Sequence, residues 1–321
     1  MADIEQLRER LANIRTVQPI LGALRTISLG GWQMALNRRA GLQRYTAQLQ
    51  ALLPLLLTEL EQGGAGRRRG SAGVTMAAAA RPVVVLALGT ESGLCGRFNH
   101  AVADGVLAEL EARREAGVEV ELVVLGLRLA RLLARRGVRP AYAAPLSTSS
   151  LPSFAQARTL TRDWLERYEA YSLDAVDVIF NAYRSLGSYE TVVRRLLPPE
   201  ITPLTEISAT PAPDEIVIVE TDPWSLYARV VEQEILIRCY SFFLESVTAE
   251  HALRYQLMAG ATQNAERLVD ALTLELQALP RQAITPEMPE LASSAGLMTR
   301  AGDDALGQRA TLLRPLPGGA I

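Results

Sequence analysis

The fold predicted is α/β: a long antiparallel coiled coil of N- and C-terminal helices plus a small central Rossmann-like α/β domain. Three observations carry it. Both ends of the 321-residue chain repeat apolar residues in alternating steps of three and four, the spacing that keeps a stripe on one helix face and asks for a partner helix. In between, the period switches to short β-rich runs alternating with helical stretches. Linkers rich in glycine, proline or acids separate these regions.

The first arm, 1–62, carries Ile4, Leu7, Leu11, Ile14, Leu21, Leu24 and Ile27 on its stripe. Two features interrupt it. Pro19 lacks an N–H and crowds the preceding turn, so a kink or break is expected there. Gly30-Gly31 weakens the helix again. A low-complexity linker follows at 63–80, where Arg67-Arg68-Arg69 reads as a solvated loop. The central domain spans 81–200. Val83–Leu88 is a continuous apolar run, as expected for a strand covered on both faces. Glycines follow at 89, 93 and 96, then a helix to about Gly117. A strand at Glu119–Leu125, a helix to about Arg136, a helix at Pro152–Tyr171 and strands at Asp177–Ala182 and Glu190–Leu196 complete a mostly parallel sheet. A proline- and acid-rich linker, 201–223, leads to the second arm, 224–298, with Tyr240, Leu244, Val247, Met258, Ala261, Ala265, Leu268 and Leu272 on its stripe. A tail, 299–321, lacks periodicity.

Neither arm can bury its stripe alone, so the two are expected to bury each other, forming a shaft roughly 80 Å long at about 1.5 Å per residue. Residues 1–50 hold seven arginines against three acids, and residues 225–290 hold five against nine. Opposite signs suit the pairing, although each exposed ion pair contributes under about 1 kcal/mol. The apolar seam must do most of the holding.

Composition narrows the function. A formal charge of −2 offers no global basic field for nucleic acid. The chain has no lysine, which excludes a P-loop lysine, a Schiff base and a lysine general base. Cys95 and Cys239 lack metal-ligand spacing and suit a reducing compartment; with only two histidines, a histidine-rich metal site is improbable. The charged N-terminus is no signal peptide, and no apolar run is long enough to span a bilayer.

One segment has the look of chemistry. Gly89-Thr-Glu-Ser-Gly93-Leu-Cys95-Gly96 sits between strand and helix, where many α/β proteins hold phosphate. Its glycine spacing is not that of a dinucleotide fingerprint. Close packing of helix on strand is the leading reading, with Gly93, Cys95, Gly96 and Asn99 as a structural turn. Cys95 could be activated by the helix N-terminus, but a buried structural thiol is the better reading. Glu250, Arg254 and Asp270 recur at helical spacing and read as polar shaft surface. No catalytic pair, cofactor site or metal site stands out.

The residues then resemble a family, the gamma subunit of F-type rotary ATP synthases. In the second arm the resemblance rests on Glu250-His251-Ala252, Arg254, Met258, Ala261-Thr262, Asn264-Ala265, Leu268, Asp270, Leu272-Thr273-Leu274 and Ile284-Thr285. In the centre it rests on Gly93-Leu94-Cys95-Gly96 with Asn99, Asp177–Asn181 and Leu196-Leu197-Pro198. Ile14-Arg15, Gln18, Ile20, Ala23 and Ser28 are similar to the start of the family's first helix. The resemblance covers 3–298 and implies a non-catalytic rotor shaft in the central stalk, with no cofactor.

The implied partners are the alpha and beta subunits of the catalytic hexamer, the epsilon subunit and the ring of c subunits. Nucleic acid has no part, and membrane contact comes only through the complex, at the cytoplasmic face of the bacterial inner membrane. Candidate partner contacts are Arg254, Asn264, Asp270, Arg281, Gln282 and Thr285. An ungapped comparison puts Pro280 and Arg281 where the family has Arg-Gln at the shaft tip; Arg281-Gln282 fits with a slip of one. Pro280, Pro286 and Pro289 are expected to end the helix early. These departures point to a divergent or alternative bacterial form. The competing readings are a coiled-coil scaffold or an α/β ligand-binding protein without a rotary role.

Overall fold

The structure is a computed structural model that describes residues 2–62, 81–147, 151–199 and 221–284. Helix α1 runs over Ala2–Gln62 and helix α5 over Pro223–Ile284. Between them lie β1 (Val83–Leu88), α2 (Phe98–Glu115), β2 (Val120–Leu125), α3 (Leu127–Arg135), β3 (Tyr142–Ala144), α4 (Phe154–Glu169), β4 (Ala175–Ser185) and β5 (Ser188–Leu197). The chain divides into two compact units. One holds residues 14–267, the other residues 1–13 with the chain from Leu268 onward.

In the larger unit α1 and α5 pair antiparallel. Leu49 and Leu56 cluster with Val230 and Ile237, Arg39 reaches Glu245 at 3.3 Å, and Gly31 lies under the ring of His251. As the α1 number falls from 56 to 31, the α5 number rises from 230 to 251. Seam positions repeat every seven residues on both helices: buried Ser28, Ala35, Leu49 and Leu56 with half-buried Leu42 on α1, and buried Val230, Ile237, Leu244, His251, Met258 and Ala265 on α5. That repeat is the signature of a left-handed supercoil, whose seam holds its place only at 3.5 residues per turn.

This seam corrects two expected positions. Ile27 is 64% exposed and Leu268 is 52% exposed. Each stands next to a smaller residue that takes the buried place. Ser28 takes it beside Ile27, its hydroxyl donating to Leu24 O at 2.7 Å, and Val269 is half-buried beside Leu268.

The helices also outlast their interruptions. Helix α1 passes through Pro19 and Gly30-Gly31, and α5 continues four residues beyond Pro280. An interior proline costs about 3 kcal/mol, but Pro19 is exposed, and Ile14, Leu21 and Leu24 around it are half-buried. Pro286 and Pro289 lie outside the described residues. Helix α5 starts cleanly: Asp222 caps it through Ser225 N and Oγ at 2.8 and 2.7 Å, and Pro223 takes the first turn, where no N–H is needed.

The five-stranded sheet has the order β3-β2-β1-β4-β5, with β5 antiparallel to β4 and the other pairs parallel. Strand β3 was not anticipated; at three residues its pattern is too short to read. All six residues of β1 are buried, since helices cover both faces. On one face Val85 and Ala87 meet Val102 and Val106 of α2 and Leu129 and Leu133 of α3. On the other, Val84, Leu86 and Phe180 meet Trp164 of α4 and a row from α5: Leu236, Tyr240, Phe243, Leu244 and Val247. Helix α5 is thus half of the coiled coil and also a layer of the α/β core.

In the smaller unit Leu11 is buried on α1, and Val269, Leu272 and Leu276 are half-buried on α5.

Candidate functional site at the turn after strand β1

The segment singled out in the sequence leaves the C-terminal end of β1, beside the point where the order β3-β2-β1 turns toward β4. In open α/β sheets ligands enter here. Its backbone is closed by its own side chains. Asn99, at the start of α2, accepts from Thr90 N at 2.9 Å and donates from Nδ2 to Thr90 Oγ1 at 2.8 Å; Thr90 Oγ1 donates to Ser92 O at 2.7 Å. Phe98 N donates to Cys95 O, and Asn181 of β4 donates to Phe98 O at 3.0 Å. Leu94 and Gly96 have positive φ of 63° and 54°. Gly126 and Gly89 let the neighbouring strand ends cross: a Cβ on Gly126, where φ is 117°, would stand 2.5 Å from the Gly89 carbonyl carbon.

Helix α5 closes one side of the crevice beside this turn, leaving a cavity of about 330 Å3 lined by Gly89, Glu91, Ser92, Leu146, Glu250 and Arg254. Arg254 donates from Nη2 to Ser92 Oγ at 2.8 Å, from Nε to Gly93 O at 3.4 Å, and pairs with Glu250 one helical turn back. Arg254 is only 8% exposed and the Glu250 side chain 12%. The expectation that both belong to a polar shaft surface is therefore corrected. Helical spacing revealed that they share a face, but not that the β1 turn folds over it. Burial pushes the Glu250 carboxyl up, opposed by Arg254.

Burial likewise pushes the Cys95 thiol up, opposed by the hydrogen bond with Thr90. A raised thiol is the opposite of an activated nucleophile, so the turn holds a packed sulfur. Cys239, in the core between α4 and α5, is pushed up to about 12 by burial. Among the described residues no group of three His, Cys, Asp or Glu side chains could hold a metal ion, and no helix is long and apolar enough to cross a membrane.

The other candidate contacts are not gathered here. Asn264 is exposed on α5 in the larger unit, and Asp270 is exposed on α5 in the smaller one. Arg281 and Gln282 lie on the last turn of α5, with side chains outside the described residues, as is the whole of Thr285. Two contributors were missed. Glu91 accepts from Leu127 N at 3.2 Å and Leu146 N at 2.8 Å, tying α3 and the β3 loop to the turn. Trp32 of α1 packs between Tyr183 of β4 and Tyr255 of α5, at 6.4 and 6.2 Å between ring centroids. Gly31-Trp32 carried a signal for this: a glycine beside a large ring on a seam marks a close helix crossing.

The family model described as ATP synthase matches residues 3–296. The chain is 26% identical over 309 residues to the ATP synthase gamma chain of Methylobacterium nodulans, covering 92% of this chain and 99% of that one. It is 27% identical over 301 residues to the gamma chain of Phenylobacterium zucineum, with the same coverage of 92% and 99%. Among solved structures it resembles a chain of the central stalk and c-ring of the Tetrahymena thermophila mitochondrial ATP synthase. There the TM-score is 0.50 at 17% identity, covering 75% of this chain and 99% of that one, which is a likeness of fold.

Proposed function

Since the chain belongs to the ATP synthase family, as one of its gamma chains, we infer that it is the central-stalk rotor subunit that couples rotation to ATP synthesis or hydrolysis. The supporting observation within the molecule is the double duty of α5. Its residues 230–265 carry a coiled-coil seam, while Leu236–Val247 cover the sheet and Arg254 grips the β1 turn. A twisting load on the α/β domain passes into α5 through the packed core and through the hydrogen bonds from Arg254, itself held by Glu250 of the same helix, to Ser92 and Gly93. An asymmetric rod presents different surfaces to subunits that are otherwise alike, and differential contact free energy is all that rotary coupling needs.

In this reading the chain is non-catalytic and has no cofactor. The shaft sits among alpha and beta subunits, and the α/β domain meets the epsilon subunit and the ring of c subunits. The complex lies at the cytoplasmic face of the bacterial inner membrane, with this chain peripheral. Arg254 and Glu250 transmit load within the chain, while Asn264, Asp270, Arg281, Gln282 and Thr285 are the proposed partner contacts. The domains proposed are the arms 1–62 and 224–298 around a centre at 81–200.

The test is the assembled complex carrying a chain with residues 260–298 deleted. The expected outcome is retained assembly of the α/β domain with loss of ion-driven ATP synthesis. Synthesis at the wild-type rate would refute the reading. The register of the tip is tested separately: Arg281→Ala is expected to lower ATPase activity of the complex more than Gln282→Ala, and an equal or reversed effect rejects the ungapped placement.

A further inference from the structure

Helix α3 buries Leu129 and Leu133 against the sheet and turns Arg128, Arg131 and Arg135 outward. The three, at spacings of three and four, share one side of the helix. Facing them is the turn after β1, and a cavity of about 260 Å3 lies between, lined by these arginines together with Leu94, Gly96 and His100. Arg128 comes close to the turn because residue 93 is glycine: a Cβ there would stand 3.1 Å from its guanidinium carbon.

Charge sets this cavity apart: three arginines and no carboxylate line it, whereas the two cavities beside Arg195 also hold Glu169 and Asp174 or Glu109 and Asp177. Arg113, Arg167 and Arg195 each have a carboxylate at hydrogen-bonding distance. Among the described residues Arg128, Arg131 and Arg135 have none within ion-pair distance. Asp104 of α2 is taken by Arg136, which also meets His100 Nδ1 at 3.2 Å. Arg131 spends only its Nε on Leu127 O, at 3.2 Å. Three guanidiniums around one concavity repel one another until an anion enters, and each offers a fork that matches a pair of oxygens. A single carboxylate satisfies one such fork; a phosphate group presents enough oxygens for all three. Leu94, held at positive φ and 56% exposed, forms an apolar rim beside the charge.

We propose that this cavity binds a phosphate-class oxyanion, either free phosphate or the phosphate chain of a nucleotide whose base lies over Leu94. The site shares no lining residue with the cavity beside Arg254, and the proposal does not depend on rotation. The test is calorimetric titration of the full-length chain with inorganic phosphate and with ADP, using acetate as a monovalent control. Arg131→Gln and Arg135→Gln are compared with Arg158→Gln, an exposed arginine of α4 across the sheet. Far-UV circular dichroism establishes that each variant is folded.

Saturable binding of phosphate or ADP is expected, weakened about tenfold or more in Arg131→Gln and Arg135→Gln and unchanged in Arg158→Gln. Equal affinity for both ligands identifies free phosphate as sufficient; tighter binding of ADP, abolished by Leu94→Ser, identifies the nucleotide. The proposal is overturned by the absence of saturable heat up to about 10 mM of either ligand, by equal binding of acetate, or by an equal loss in Arg158→Gln.

Discussion

Gly30 and Gly31 are adjacent in α1 and face different surroundings. A Cβ on Gly30 meets nothing within 4 Å, whereas one on Gly31 would stand 2.6–2.8 Å from three atoms of the His251 ring. Gly30→Ala is therefore expected to stabilise the chain by about 1 kcal/mol through helix propensity. Gly31→Ala is expected to destabilise it by about 1–3 kcal/mol, because overpacking the seam outweighs that gain. Urea unfolding of the two variants checks this, and a shared sign would reject the close crossing. Glu250 gives a second prediction. Its carboxyl is raised in the folded chain, so between the unfolded value of 4.5 and the folded one the native state holds more protons than the unfolded state. Stability should then fall as pH rises through that window, and Glu250→Gln should flatten the slope. Denaturation curves from pH 4 upward decide it; a slope unchanged by the substitution counts against the buried carboxyl. Both thiols, raised by burial, should resist alkylation in the native chain and react on unfolding. Rapid labelling of Cys95 at neutral pH would show the turn to be open.

Helix α1 illustrates how an element survives a bad residue. Pro19 lies within it, exposed, and removes one backbone hydrogen bond. Pro19→Ala should stabilise the chain by about 1–3 kcal/mol, read as a rise in thermal midpoint. No rise would mean that the helix already absorbs the missing hydrogen bond at this exposed position. The elements of the α/β domain were legible where runs were long. Val83–Leu88 is legible with its observed bounds because six successive apolar residues mark a strand covered on both faces. Strand β3 escaped because three residues, two of them exposed, carry no period. Ile27 and Leu268 misled for a related reason: a stripe of apolar residues wider than the seam does not say which edge meets the partner.

For the molecule as a whole, the arms behave as one structural system with the sheet throughout residues 14–267. Ile237 is buried in the seam beside Leu49 and Leu56, seven residues before Leu244 in the sheet core. Ile237→Asp should therefore unfold coiled coil and α/β domain together, as a single transition by circular dichroism and tryptophan fluorescence. Two separated transitions would show that the layers are independent.

Heptad spacing, the switch to strands at Val83 and the C-terminal motif are properties of neighbours along the chain, so reading in one dimension recovers them and the family they point to. The depth at which Arg254 and Glu250 are buried, the meeting of α3 arginines with the β1 turn, and the need for glycine at position 31 are different in kind. Each depends on which distant segment folds across it, and burial, charge pairing and steric room exist only once that neighbour is in place.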